Sequence, residues 1–537
     1  MPSERGNMSD GSGGYSKLDD VPETQAPAPK DGRPVIVLRS ELMPMTDEAI
    51  SALAQVEGIY QREGFLVDVV PSAEPDGLSR ISQIPASRLR ELLSSVAMCK
   101  KRVKGENDSE TLVSVAPPKD LVSMIIDRRH WPALQALNGI TRAPIVRPDG
   151  TVCTEPGYDV ATSLFYEARC EVTVAKSPTK DEAMKALARL RGLLADFPFA
   201  APREVSESAW LAAALTIVGR SAINGPVPLT LIDASEKGSG KTLLADALGA
   251  ISQGESLPRQ TQPESREEWK KTMLTIAIEA PAVVLFDNVS SKFGSDALDA
   301  FLTGTRYQDR LLSKNETVSP KTRTVFVVTA NNPSFKQDTI RRSLHVRITP
   351  KEERPEQRAT FKHPNLLRHI GENRGQYLGD ALTLLRAYFA AGRPSVEMRT
   401  MGSYEEWSAV VRAPLIWLGL PDPAETQDEL RESADDDRAV FGEFLAAWVA
   451  FFGEDQDEGV TVLKLLENLA DTGEKHPKRD VLRVALCAFC DTGGKLPTAQ
   501  QVGYRFRASK DRSAFGLRFE RCQAHTRTGT TWRVARA

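Results

Sequence analysis

Between Leu231 and Leu248 the chain reads LIDASEKGSGKTLLADAL. An apolar run gives way to a small, glycine-containing loop, then to Lys241 and Thr242, then to apolar residues at helical spacing. Successive backbone N–H groups from Ser235 through Glu236, Lys237, Gly238, Ser239 and Gly240, backed by a helix N-terminus, would cradle phosphate oxygens. Gly238 and Gly240 let the backbone approach closely. Lys241 would then reach the β- and γ-phosphates, and Thr242 would hold Mg²⁺. The usual pattern G-x-x-x-x-G-K-[ST] has glycine where this chain has Ser235, whose Cβ must tolerate the tight turn. Taken alone, the stretch also reads as a chance Gly-Lys-Thr between a strand and a helix.

Two downstream stretches decide between those readings. AVVLFDN places Asp287 at the end of a buried strand, 287 − 241 = 46 residues after the lysine, where the Mg²⁺-ordering acid of such a site belongs. TVFVVTANNP ends another apolar strand in Thr329, Asn331 and Asn332. An amide there would orient an attacking water from the strand beside the acid's; the competing reading is a plain Asn-Asn-Pro turn. Strand–loop–lysine, strand–acid and strand–asparagine, in this order, are jointly specific. The loop binds nucleotide, with ATP and Mg²⁺ as the expected cofactors.

These residues need a frame, and the stretch 201–395 supplies its pattern. PLTLIDA, PAVVLFD, TRTVFVVTA and SLHVRIT read as strands; KTLLADALGAIS, REEWKKTMLTIAIEA and SDALDAFLTG read as helices. Continuous apolar strands separated by helices predict a parallel α/β sheet buried on both faces. Before it, residues 1–32 read as a disordered tail and 33–200 as a mixed α+β domain without a catalytic constellation. After it come a helical connector, 396–435, and a helical, winged-helix-like basic domain, 436–537. The acidic ESADDDRAV reads as a solvated connector, not a metal site.

Composition excludes several classes. The 537 residues suggest three or four domains, and a net charge of −3 excludes a uniformly basic nucleic-acid coat while leaving room for local basic surfaces. No apolar run approaches the roughly 20 residues that span a bilayer, so no membrane partner is expected. Six scattered cysteines fit a reducing cytoplasm. Cys487, Cys490, Cys522 and His525 spell a possible zinc set, but the first two fall on or near the apolar face of a helix, where cysteine is a common small core residue.

With these motifs in hand, the sequence resembles an AAA+ ATPase, the replicative-helicase module of phages, plasmids and integrative elements, similar to the superfamily 3 and poxvirus-type primase-helicase group. LNGITRAPIVRPDGTVCTEPGYDVATSLFY, EEWKKTMLTIAIEAPAVVLFDNV and FKHPNLLRHIGENRGQYLGDALTLLRAYFAAGRP extend the likeness over roughly 135–420. The resemblance implies that Lys241 and Thr242 belong to Walker A, Asp287 to Walker B, and Asn331 to sensor 1, with Asn332 the second choice. It implies that Arg341 or Arg342 is an arginine finger acting on a neighbour's nucleotide, the alternative being a solvated helix end. It also places a DNA-gripping hairpin at DRLLSKNETVSP, with Lys314 at its tip; a lysine there can equally be simply solvated. One departure concerns chemistry: Asn288 stands where many relatives have the general-base glutamate, and neither Glu279 nor Glu316 is supported by spacing as a substitute.

The last 37 residues hold nine Lys/Arg against two acids. AQQVGYRFRASK reads as a helix, and GLRFERCQ with TTWRVAR as a hairpin, so Arg505, Arg507, Lys510 and Arg512 are candidate DNA contacts. The competing reading is a basic module for protein contacts. The expectation is an ATP-dependent, ring-forming, hexameric DNA helicase working on single-stranded or forked DNA, with any primase a separate protein. The rival is an ATP-gated DNA-binding initiator or assembly switch with little unwinding.

Overall fold

The computed structural model describes residues 32–71, 79–104, 110–234, 236, 238–289, 292–311, 317–331, 336–350, 358, 360–454, 459–470, 476–526 and 529–537, without the side chains at 337, 429, 431–437, 523–526 and 529. Ser235, Lys237, Lys314, Glu316 and Asn332 therefore lie outside the described residues, as does the side chain of His525. The chain divides into two compact units, Met1–Asn138 and Gly139–Ala537.

In the first unit, Val35–Leu38 pairs in parallel with Met98–Lys104, which pairs antiparallel with Glu110–Val115. A second sheet joins Ile59–Arg62, Phe65–Val70 and Arg80–Gln83. Helices Leu42–Leu53, Ala86–Val96 and Lys119–Asp127 contribute to a core containing Leu53, Leu93, Ile125 and Trp131.

The second unit contains the frame expected from the apolar runs. Its strands are β1 (Leu229–Ala234), β2 (Arg259–Gln260), β3 (Val283–Val289), β4 (Val325–Asn331) and β5 (Ser343–Ile348). They lie in the order β2-β3-β4-β1-β5, all pairs parallel. Helices α1 (Lys241–Ser252), α2 (Arg266–Glu279) and α3 (Asp296–Thr303) make the crossovers. Every residue of β1 is buried, and Val325 to Ala330 of β4 are likewise, so both sheet faces are covered. One face packs on a layer that includes the helix Arg203–Val218, whose buried Trp210 donates through Nε1 to Leu244 O of α1 at 3.0 Å. The other meets Trp269, Phe293 and Phe301. The two-residue edge strand β2 was absent from the expected set.

Residues 139–200 pack with this unit: Ala186, Leu190 and Phe197 share a core with α1 and with β5. Residues 139–200 thus belong to the second compact unit. A 26-residue helix, Gln427–Phe452, runs through both the 435/436 boundary and the acidic stretch expected to be a connector. No proline or glycine interrupts that helix before Gly442. Beyond it, helices Val462–Ala470, Pro477–Phe489 and Ala499–Ala508 accompany a four-stranded antiparallel sheet. The sheet's long hairpin joins Leu517–Thr526 and Gly529–Arg536. Among the described residues, no helix is long and apolar enough to cross a membrane.

Candidate functional site

Parallel strands deliver their C-terminal ends to one edge, and the chain leaves β1 for the far side of the sheet and returns as β4 and β5 on either side of it. Ligands of open α/β sheets bind at such a reversal. The loop after β1 reaches α1 through Gly238 at φ +73° and Gly240 at φ +94°, left-handed backbone that glycine adopts without strain. A Cβ on Gly240 would also approach the Phe197 ring to 3.2 Å. Gly240 caps α1, so the helix's unpaired N–H groups face the loop. Glu236 is exposed, and Ser239 is buried.

The side chains expected to act on phosphate and metal meet here. Lys241 is 8% exposed, and its Nζ donates to Asn331 Oδ1 at 2.6 Å. Burial lowers the Lys241 pKa, opposed by Asp233 and Asp287. Thr242 Oγ1 donates to Asp287 Oδ1 at 3.2 Å, and Thr329 Oγ1 to the same oxygen at 2.6 Å. Thr329 Oγ1 in turn accepts from the Asn288 backbone N–H at 2.8 Å. The β3–β4 register shifts between Phe286 and Val289, a bulge that turns Asp287 into the site and leaves Asn288 exposed at φ +55°. A hydroxyl and a carboxylate converging from α1 and β3 are the oxygen donors that Mg²⁺ accepts.

Two features escaped the sequence reading. Arg259, on β2, donates through Nε to Asp287 Oδ2 at 3.2 Å and through Nη2 to Asp246 Oδ2 at 2.9 Å. Beside the loop lies a pocket walled by Leu193, Phe197, Pro198, Leu243, Arg358 and Phe361. Arg358 stacks 4.9 Å from the Phe361 ring centroid and donates to Asp196 O at 2.6 Å. Arg203 fixes the opposite wall, donating to Phe197 O at 2.8 Å and Leu194 O at 2.7 Å while Glu207 accepts from it. An apolar slot with an arginine–aromatic face suits a planar base. His363 also lines the slot; burial, then His369 and Lys362, hold its pKa below the usual value.

Other candidates lie elsewhere. Leu229 N donates to Arg342 O, so Arg341 and Arg342 sit at the strands' N-terminal edge, about 20 Å from the loop at some 3.3 Å per residue. Arg342 is held by Asp338 O at 2.6 Å and Asp299 at 3.4 Å, whereas Arg341 is 66% exposed and pairs with Asp338 beside it. The hairpin Asp309–Arg310/Thr317–Val318 forms at that same edge, just before β4 begins. Its root is pinned by Arg220, whose guanidinium donates to Thr322 O at 2.9 Å and Arg323 O at 3.0 Å. Burial, then Arg323, pushes the Arg220 pKa down to about 9. Glu279 ends α2 before β3 starts, at the edge opposite Asp287, and is removed as a general base by that topology.

The C-terminal arginines sort into two groups. Arg505 donates to Phe489 O at 2.8 Å and covers the Phe489 ring, while Arg512 covers the Phe441 ring. Arg507 and Lys510 instead line an open groove. Cys487 donates to Lys495 O at 3.3 Å, and burial pushes the Cys490 thiol up to about 11. Among the described residues no group of three or more His, Cys, Asp or Glu is placed to hold a metal ion.

No protein-family model matches the chain, and no curated protein matches it significantly. Solved structures similar to it include the apo C-terminal region of NrS-1, with 13% identity, 89% of this chain and 96% of that one covered, and a TM-score of 0.35. The SCCmec type IV Cch, described as an active helicase, has 13% identity, 90% and 98% coverage, and a TM-score of 0.31. The JCV helicase has 15% identity, 50% and 71% coverage, and a TM-score of 0.20. These TM-scores are low, and the functional reading rests on this chain's own residues.

Proposed function

We propose that this chain is an ATP-driven DNA motor: a ring-forming helicase, hexameric, serving replication of a phage, plasmid or integrative element. The observation that carries the reading is the convergence of Lys241, Thr242, Asp287 and Asn331 at one edge of a parallel sheet, beside a glycine loop and a slot for a base. When bound, ATP with Mg²⁺ supplies the phosphoanhydride whose hydrolysis drives movement. Backbone N–H groups of Gly238 to Gly240 and the start of α1 receive the phosphates. Lys241 exchanges its bond to Asn331 for phosphate oxygen, which frees the Asn331 amide to orient water. Thr242 and Asp287 would hold the metal, with Thr329 fixing the carboxylate's orientation. Phe197, Arg358 and Phe361 shield the base.

Arg341 or Arg342 lies too far from its own chain's loop to act there, so each would serve a neighbour's nucleotide in a ring. Arg341 is the better finger because Arg342 is committed to Asp299 and Asp338. The hairpin at the same edge would grip the DNA strand, with Lys314, which lies outside the described residues, as the candidate contact. The winged-helix-like C-terminal domain would supply loading or origin contact, with a primase provided by another protein, in the cytoplasm.

Asn288 favours a second reading. Its amide cannot accept a proton, so turnover without another carboxylate would be slow, as in an ATP-gated DNA-binding switch. Unwinding of a labelled forked duplex with ATP and Mg²⁺, beside Lys241→Ala, separates the two. Strand separation lost in the variant supports the motor. Intact duplex with ATP-responsive DNA binding replaces it by the switch.

A further inference from the structure

The groove between the helix Ala499–Ala508 and the long C-terminal hairpin gathers like charges. Arg507, Lys510 and Arg521 line it together with Thr461, Thr530 and Trp532, and no carboxylate is among its lining residues. Arg507 and Arg521 are exposed, and neither makes a hydrogen bond or ion pair with another described residue. Lys510 Nζ lies 3.5 Å from Asp511, which is not among the lining residues. Arg507 and Arg521, gathered in one groove without such a counter-charge, repel each other, and a surface that keeps them together suits an anion.

Four further observations bear on that anion. Gly503 sits within the helix, where glycine costs about 1 kcal/mol relative to alanine. A Cβ there would approach Arg507 Nη1 to 3.3 Å, so the bare backbone gives the guanidinium room to lie over the groove. The lining has hydroxyls and cations and no carboxylate, a set that suits backbone phosphate. Its one aromatic residue, Trp532, is 3% exposed and offers no platform for unstacked bases, which single-strand sites need. The walls are the helix Ala499–Ala508, the two-stranded ribbon and Thr461 to Leu463, and a helix and a ribbon are elements that a duplex groove admits.

We propose that this groove is a clamp for the phosphate backbone of double-stranded DNA, sequence-independent and independent of nucleotide state. The inference rests on the reading of the C-terminal domain as DNA-binding and adds Arg521 and the two threonines to it. It also removes Arg505 and Arg512 from the contact set, since both are spent on packing against Phe489 and Phe441.

The test is fluorescence anisotropy of a labelled duplex of arbitrary sequence with the full chain, in EDTA and without nucleotide, from about 50 to 200 mM salt. Arg521→Gln and Arg507→Gln should each weaken binding about 5- to 10-fold at the low-salt end. Each should also flatten the slope of log K against log salt by about 0.9. Arg521→Lys should restore the slope, because a phosphate contact needs the charge and not the fork. Arg505→Gln should leave the slope unchanged. Unchanged slopes in both groove variants, with the melting temperature retained, would overturn the clamp, as would a defect seen only with oligo(dT). Lys241→Ala separates this from the motor: binding lost in the groove variants while unwinding depends on Lys241 leaves both standing. Normal duplex binding by the groove variants removes the clamp alone, and absent unwinding removes the motor alone.

Discussion

At the C-terminal edge of the parallel strands, charges meet their partners inside the chain: Arg259 bridges Asp246 and Asp287, and Lys241 rests on the Asn331 amide. In the C-terminal groove, Arg507, Lys510 and Arg521 line one surface, and of the three only Lys510 has an ion pair with another described residue, Asp511. The contrast follows from what each site would receive. Mg²⁺ and triphosphate bring both signs of charge, so internal partners can hold the site in shape and be exchanged when the ligand arrives. A DNA backbone brings one sign, with its counterions released to solution, so a site for it can stand unbalanced beforehand. One site is preorganised by pairing, the other by backbone placement against repulsion.

The largest effect tests the paired site directly. Lys241→Ala should lower the steady-state rate of phosphate release by about 100-fold or more, since charge stabilisation of transferring phosphate is the dominant catalytic term. Because Asn331 faces the loop edge and loses only one bond, the fold should persist by circular dichroism. A variant that keeps more than a tenth of the rate would remove Lys241 from the chemistry.

Arg259→Ala comes next and probes the balance itself. Asp246 is 7% exposed at its side chain and would lose its cation, while the arginine is 48% exposed, so about 1–2 kcal/mol of stability should go. At the same time the guanidinium would stop competing for Asp287 Oδ2. The Mg²⁺ concentration for half-maximal binding of a fluorescent nucleotide should therefore fall about threefold, on the order of 0.7 kcal/mol. If Mg²⁺ dependence and stability both stay put, the pairing is incidental and the comparison loses one side.

Arg358→Ala acts on the slot. It removes the face over Phe361 and the bond to Asp196 O, so nucleotide Kd should rise about 5-fold through loss of cation–π and packing contacts. The rate at saturating ATP should hold, because a base contact is made equally in ground and transition states. A fall in kcat at unchanged KM would place Arg358 among the phosphate-facing groups instead.

Much of the paired site was readable from sequence, because its residues sit at strand ends whose apolar runs announce themselves. β1, β3, β4 and β5 with α1 to α3 were all expected, and the loop, Asp287 and Asn331 hang from them. β2 was not: two residues, Arg259 and Gln260, are too few to show alternation, so the arginine it carries stayed invisible. The slot was hidden for another reason. Leu193, Phe197 and Phe361 are ordinary apolar residues far apart in sequence, and only the packing of 193–198 against the loop makes them a wall. In the C-terminal domain composition announced a basic surface but could not sort it. Arg505 and Arg507 are two positions apart on one helix, about 200° around its axis, so one turns onto Phe489 and the other away from it. Likewise the acidic stretch at 432–440 looked like a connector by charge alone, yet alanine, glutamate and arginine sustain a helix through it.

The smallest effect has the opposite sign in the two sites and for that reason sharpens the comparison most. Removing a cation from the paired edge should cost stability, as Arg259→Ala does. Removing one from the groove should relieve repulsion, so Arg507→Ala and Arg521→Ala should each raise the stability of the DNA-free chain by about 0.2–0.5 kcal/mol at low salt. The gain should shrink as salt screens the exposed charges, since the Debye length falls from about 30 Å at 0.01 M to about 10 Å at 0.1 M. Duplex DNA should reverse the order, stabilising the unmodified chain more than either variant by linkage. Thermal melts with and without duplex, at two salt concentrations, read all of this at once. If the groove variants are less stable than the parent without DNA, the three cations have partners that hold them, and the groove is a second paired site.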